Sequence, residues 1–150
     1  MTVNGQTETV KSAFYEEYAA GTAVEETEFD LYLFRDVFTQ FPTEEPSLFV
    51  NIQMSESLYG KALDLTKPFD LTQTPIPYLG ISAFVNGKYF AIEYDSDPID
   101  VTDEATVESG TLTSTKNGDN FTVRLSIKLS NGNSIMADWE GTATKIEMPE

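Results

Sequence analysis

Phe121–Ser130, F-T-V-R-L-S-I-K-L-S, sets Phe121, Val123, Leu125, Ile127 and Leu129 against Thr122, Arg124, Ser126, Lys128 and Ser130. Successive side chains of an extended chain point to opposite faces, so this period of two predicts a strand with one buried and one wet face. The chain continues N-G-N over 131–133, and then Ile135, Ala137 and Trp139 alternate with Ser134, Met136 and Asp138. Both central residues of a type I′ turn need φ > 0, which Asn and Gly tolerate best, so Asn-Gly between alternating segments predicts a hairpin. A three-residue loop over 131–133 pairs Leu129 with Ile135, Ile127 with Ala137 and Leu125 with Trp139, which makes Trp139 a core residue. A slip of one residue sets Ile127 against Asp138, so the apolar pattern selects the loop length.

Working outward, Asn-Gly recurs at Asn4-Gly5, Asn86-Gly87 and Asn117-Gly118. A two-residue turn at Asn117-Gly118 pairs Leu112 with Val123 and Ser114 with Phe121, which predicts a meander over 110–116, 121–130 and 134–144. A turn at Asn86-Gly87 pairs Ala83 with Phe90, Ile81 with Ile92 and Phe84 with Tyr89, leaving apolar residues on both faces. Such a pair of strands is sandwiched on both sides or lines a ligand surface. Glu28–Arg35 alternates Phe29, Leu31 and Leu33 with Asp30, Tyr32 and Phe34, and Ser47–Met54 alternates Leu48, Val50, Ile52 and Met54 with Phe49, Asn51 and Gln53. Between them Phe41–Pro46 reads as a loop, because proline at both ends stops ladder pairing. Pro75-Ile76-Pro77 marks a further break. Gly60–Leu65 reads as a short strand; 12–20 reads as a strand, with a short helix capped by Ser12 as the alternative. The expected fold is one all-β domain over 1–150, an antiparallel β-sandwich of about 8–10 strands built from Asn-Gly hairpins. A closed, lipocalin-like β-barrel is the alternative.

The composition excludes several chemistries. The 150 residues carry 9 Lys+Arg against 25 Asp+Glu, a formal charge of −16, with no His and no Cys. Thiolate nucleophiles, disulfides, imidazole bases and His- or Cys-ligated zinc are therefore absent. The acidic balance opposes a nucleic-acid footprint, which needs a basic patch. No apolar run approaches the length that spans a bilayer as a helix, so no transmembrane segment is expected. No basic-plus-apolar leader follows Met1, which fits a cytosolic chain or the mature part of an exported one.

The opening V-N-G-Q-T-E, the stretches A-F-Y-E-E-Y and E-F-D-L-Y-L, and the late N-G-D-N-F-T-V-R-L-S-I-K-L-S-N-G-N-S-I and W-E-G-T-A-T carry a resemblance. At both ends the chain resembles small surface lipoprotein domains of gut Bacteroidetes. The resemblance implies an all-β sandwich-like domain, secreted or held at the outer surface or in the periplasm. It also implies a possible lipid anchor in the full-length precursor; the lipobox Cys of that group is missing here. It assigns no catalytic residue.

Three sets of residues are candidates for function. Asp95, Asp97, Asp100, Asp103 and Glu104 put five carboxylates into ten residues after a strand. Calcium takes 6–8 oxygen ligands, so this loop is a candidate calcium site, a solvated acidic loop being the other reading. No other cofactor is expected. Glu16-Glu17 and Glu25-Glu26-Thr27-Glu28 supply carboxylates for a glycosidase-type pair, with a charged solubilising surface as the other reading. Asp30, in mid-strand, is expected on a wet face beside Tyr32. Finally, Tyr32, Phe34, Phe84 and Tyr89 fall opposite the predicted core stripe. In the open they would form a ligand-binding aromatic patch; covered by a second layer from 36–78, they would be core. The expected role is non-enzymatic binding of a glycan or a partner envelope protein. A carboxylate-based glycoside hydrolase and a small-ligand carrier barrel are the alternatives.

Overall fold

The computed structural model of the protein describes residues 1–18, 27–44, 46–69, 72, 77–94 and 98–146. The chain forms β1 (Thr2–Val3), β2 (Gln6–Thr7), β3 (Ser12–Tyr18), β4 (Glu28–Phe34), β5 (Leu48–Ser55), β6 (Leu63–Asp64) and β7 (Leu79–Val85). It continues with β8 (Lys88–Glu93), β9 (Asp100–Val101), β10 (Val107–Asn117), β11 (Asn120–Leu129), β12 (Ser134–Thr142) and β13 (Thr144–Lys145). The only helical elements among the described residues are single 3-10 turns at Glu56–Leu58 and Thr102–Glu104. One sheet has six strands in the order β2-β1-β12-β11-β10-β6, the other seven in the order β13-β3-β4-β5-β7-β8-β9. All pairings are antiparallel except β13 with β3. The sheets are separate and do not close on each other, so the fold is the expected sandwich and the barrel is excluded. The strand count exceeds the expected 8–10 because five two-residue strands, too short to show a period, trim the sheet edges.

The alternation predicts the core. Phe121, Val123, Leu125, Ile127 and Leu129 of β11 are all buried. They meet Phe29, Leu31 and Leu33 of β4, Leu48, Val50, Ile52 and Met54 of β5, and Ile81, Ala83, Phe90 and Ile92 of β7 and β8 in one continuous cluster. Tyr94 crosses this layer, its buried hydroxyl donating to the Leu65 carbonyl at 2.6 Å, while Leu65 N–H donates to the Gly110 carbonyl of β10 at 3.0 Å. At the seam between the sheets the Lys116 ammonium lies 5.3 Å from the Tyr15 ring centre and 6.0 Å from that of Phe121, and 3.7 Å from Glu17.

The turns divide into two kinds. At Asn4-Gly5 and Asn86-Gly87 both residues have φ > 0, and the register after Asn86-Gly87 is the predicted one, Ala83 with Phe90 and Ile81 with Ile92. At the other two sites only the glycine turns left-handed, with φ of 62° at Gly118 and 92° at Gly132. The central pair of the first is therefore Gly118-Asp119, and Asn117 pairs with Asn120. Leu112 faces Leu125 and Ser114 faces Val123, two residues away from the predicted partners. In the second, Gly132 N–H donates to the Leu129 carbonyl at 3.1 Å and Leu129 N–H to the Asn133 carbonyl at 2.9 Å. The loop is thus Ser130–Gly132, and Ile127 faces Ile135, Leu125 faces Ala137 and Val123 faces Trp139. A shift of two keeps every side chain on its predicted face, which is why the core survives the altered register. Trp139 is corrected with it: moved toward the end of the ladder, it is only partly buried against the core margin.

Ser114 faces inward from β10, fully buried, with no hydrogen-bond partner for its hydroxyl among the described residues. An unpaired buried hydroxyl costs about 1–3 kcal/mol. Ser114→Ala should raise the unfolding free energy in urea by ~1 kcal/mol; a loss of stability would show that the hydroxyl is satisfied. Leu31→Ala, which opens a cavity at the centre of the same core, should lower it by about 2–5 kcal/mol.

Candidate functional site

The outer face of the seven-stranded sheet carries the unusual chemistry. The registers of β3, β4, β5, β7 and β8 order its outward side chains into rows. One row runs Ser12, Phe34, Phe49, Phe84, Tyr89; the next Phe14, Tyr32, Asn51, Ser82, Ala91; the third Glu16, Asp30, Gln53, Gly80, Glu93. The face thus grades from aromatic at one end to acidic at the other.

The aromatic end is covered. Phe41 lies with its ring centre 4.9 Å from Tyr32 and 6.0 Å from both Phe14 and Phe34, and Phe38 sits 5.1 Å from Phe34. The segment carrying these rings is pinned at its base, where Ser12 donates to the Asp36 carbonyl at 2.6 Å and Ser47 to the Asp36 carboxylate at 3.0 Å. Phe34 is accordingly 1% exposed, and Phe84, stacked on Phe49 with ring centres 6.0 Å apart, is 8% exposed. Of the four aromatic candidates, these two belong to a second packed layer, Tyr32 is half-buried, and Tyr89 stands open at 55%.

Beside that layer lies a polar network. Asp30, expected on a wet face, is 7% exposed. The Tyr32 hydroxyl donates to Asp30 Oδ2 at 3.0 Å. Asn51 Nδ2 donates to Asp30 Oδ1 and, at 3.0 Å, to the Leu31 carbonyl, while the Ser82 hydroxyl donates to Asn51 Oδ1 at 3.2 Å. In the adjoining row Gln53 Nε2 donates to Glu28 at 3.0 Å. Burial pushes the Asp30 carboxyl above its usual range, and Glu16, facing it across the ladder, adds to the rise; the bonds from Asn51 and Tyr32 oppose it. The alternating pattern hid this because the groups that cover Asp30 are Tyr32, two residues along on the same face, and Asn51 of the neighbouring strand.

Next to the network Tyr78, Gly80, Ser82, Asn51, Gln53, Tyr89 and Glu93 line an open crevice of about 120 Å³. Gly80 makes it possible: a Cβ there would stand 2.8 Å from the Tyr78 hydroxyl oxygen and 3.3 Å from its ring, so the glycine lets the ring lie flat along the sheet. The crevice is smaller than a pocket that encloses a drug-sized molecule, so a ligand would lie across it and project beyond. A hollow of about 600 Å³ is lined, among the described residues, by the 36–44 and 46–47 stretches.

Of these lining residues the sequence reading singled out only Tyr89. The signal that would have found the rest is two amides, Asn51 and Gln53, spaced by two on the non-core face of one strand, with Gly80 and Ser82 spaced the same way on the next. The candidate calcium loop gains no support. Asp95 and Asp97 lie outside the described residues, Asp100 is exposed on β9, and Asp103 and Glu104 sit exposed in a turn with φ of 61° and 56°. Among the described residues no three metal-ligating side chains converge. Of the carboxylates considered for a catalytic pair, Glu25 and Glu26 lie outside the described residues, Glu17 pairs with Lys116, and Glu16 accepts a bond from the Tyr18 hydroxyl. No protein-family model, curated protein or solved structure matches the chain significantly.

Because the folded protein holds the Asp30 proton more tightly than the unfolded chain does, protonated Asp30 contributes stability below the ordinary carboxylate pKa. That contribution is lost as pH rises through the raised folded value. Urea midpoints measured from mildly acidic to neutral pH should fall more steeply for the natural protein than for Asp30→Asn, whose amide cannot ionise. Parallel profiles would show that Asp30 ionises in the fold at its ordinary pKa.

Proposed function

We propose that the chain is a non-enzymatic interaction domain, secreted or held at the cell surface or in the periplasm, that binds a glycan across the outer face of its seven-stranded sheet. The carrying observation is the crevice floored by Gly80 between Tyr78 and the exposed Tyr89. Aromatic faces accept the C–H faces of sugar rings, and amides and hydroxyls beside them meet the sugar hydroxyls. The envelope location, and a lipid anchor on the precursor, rest on the resemblance to Bacteroidetes surface lipoprotein domains.

The hydrolase reading is less well supported by the same geometry. Glu16 and Asp30 face each other, but Asp30 is sequestered by Tyr32 and Asn51, and neither carboxylate lines the crevice. A carrier role would need an internal lumen, and the interior between the sheets is filled by side chains.

Electrophoresis through gels containing neutral soluble polysaccharides tests this reading. At least one polysaccharide should retard the natural protein. Tyr89→Ala should weaken the interaction by about tenfold, equivalent to ~1.4 kcal/mol, with its melting temperature unchanged. Retardation that persists in Tyr89→Ala would move the site elsewhere, and turnover of the polysaccharide would make the protein an enzyme.

A further inference from the structure

Building on the glycan reading, we infer that the crevice selects uncharged or amine-bearing sugar units and rejects glycans carrying carboxylate or sulfate groups. The charge of its lining carries this, with its hydrogen-bond polarity in support. Several of the donors are consumed within the protein. Both hydrogens of Asn51 Nδ2 are spent on Asp30 Oδ1 and the Leu31 carbonyl. The Ser82 hydroxyl hydrogen is spent on Asn51 Oδ1, and that of Tyr32 on Asp30. Gln53 directs an amide hydrogen at Glu28. What these groups still offer outward is mainly acceptor capacity, the lone pairs of Ser82 Oγ and the amide oxygen of Gln53, beside two uncharged donors, the second Gln53 amide hydrogen and the Tyr89 hydroxyl.

Charge acts in the same direction. Glu93 lines the crevice, Asp30 and Glu16 continue its row, and no Lys or Arg is among the lining residues. A sugar hydroxyl or ammonium brings donors to meet those acceptors. A uronate or sulfate oxygen brings only another acceptor, and places its charge beside Glu93 with no cation to receive it. The formal charge of −16 on the whole chain adds a repulsion that salt screens.

Isothermal calorimetry separates selectivity from binding itself. The probes are neutral gluco- and manno-oligosaccharides, chitosan oligomers, oligogalacturonate and a sulfated oligosaccharide, each at low and at physiological salt. Neutral or amine-bearing probes should bind in a Tyr89-dependent way, with the chitosan oligomers weakening as salt rises. The anionic probes should bind at least about tenfold more weakly. Glu93→Gln, which keeps the side-chain shape, should narrow that gap by strengthening the anionic probes. Tyr89-dependent binding of oligogalacturonate or the sulfated probe as tight as that of a neutral probe would overturn the selectivity while leaving glycan binding intact. A gap unchanged in Glu93→Gln would also overturn it, because the discrimination would then arise outside the crevice. Absence of heat with every probe would remove the glycan reading and the selectivity together.

Discussion

The constraint on which the rest of the structure depends is the register of β4, β5 and β7 across the sandwich core. Phe29, Leu31 and Leu33, then Leu48, Val50, Ile52 and Met54, then Leu79, Ile81 and Ala83 all point inward and are essentially inaccessible to water. A slip of one residue in any of these strands would exchange its apolar row for one containing Asp30, Asn51 or Ser82. At about 25 cal/mol per Å² of apolar surface, no outer-face contact compensates for that exchange. The core therefore decides, as a by-product, which polar groups stand beside each other outside. Asn51 lies between Asp30 of one neighbouring strand and Ser82 of the other because the apolar residues between them can pack in only one way.

The same constraint explains how much of the fold was legible in the sequence. Period-two alternation in 121–130, 28–35 and 47–54 specified the core faces. The Asn86-Gly87 hairpin specified its pairing because both turn residues take the left-handed conformation. At Asn117-Gly118 and Asn131-Gly132 the dipeptide was a true turn signal with the wrong centre. Only glycine is left-handed there, so the turns move by one residue and the ladders by two. Parity protected the core assignment from that error. It did not protect Trp139, whose burial depends on how far along the ladder it sits rather than on which face it occupies.

The outer face was less legible, for a physical reason. Whether a residue opposite the core stripe is wet depends on what covers it. Phe34 is dry because Phe38 and Phe41 arrive from a segment with no alternation to announce its path, and Phe84 stacks on Phe49 of the neighbouring strand. Asp30 is dry because its hydrogen-bond partners come from its own strand at Tyr32 and from Asn51, 21 residues further along. Tyr89 remains open at 55%, with no ring contact among the described residues. A linear pattern thus separates two faces; three-dimensional cover then separates a packed layer from a binding surface.

A buried carboxylate is a costly way to satisfy an asparagine, since desolvation alone would favour an apolar residue at that position. Its effect here is directional. An Asn51 without Asp30 would be able to turn its amide hydrogens toward the crevice, and the lining would then gain two donors. With Asp30 in place, both hydrogens are drawn beneath the surface, and the amide oxygen is held facing Ser82. The buried charge thus reaches the outer surface twice. It acts once as a field beside Glu16 and Glu93, and once as a fixed orientation of the one amide that joins network to crevice. Substituting an apolar residue for Asp30 would relieve the desolvation penalty and, by freeing Asn51, remove the hydrogen-bond polarity that distinguishes this face from an ordinary polar surface.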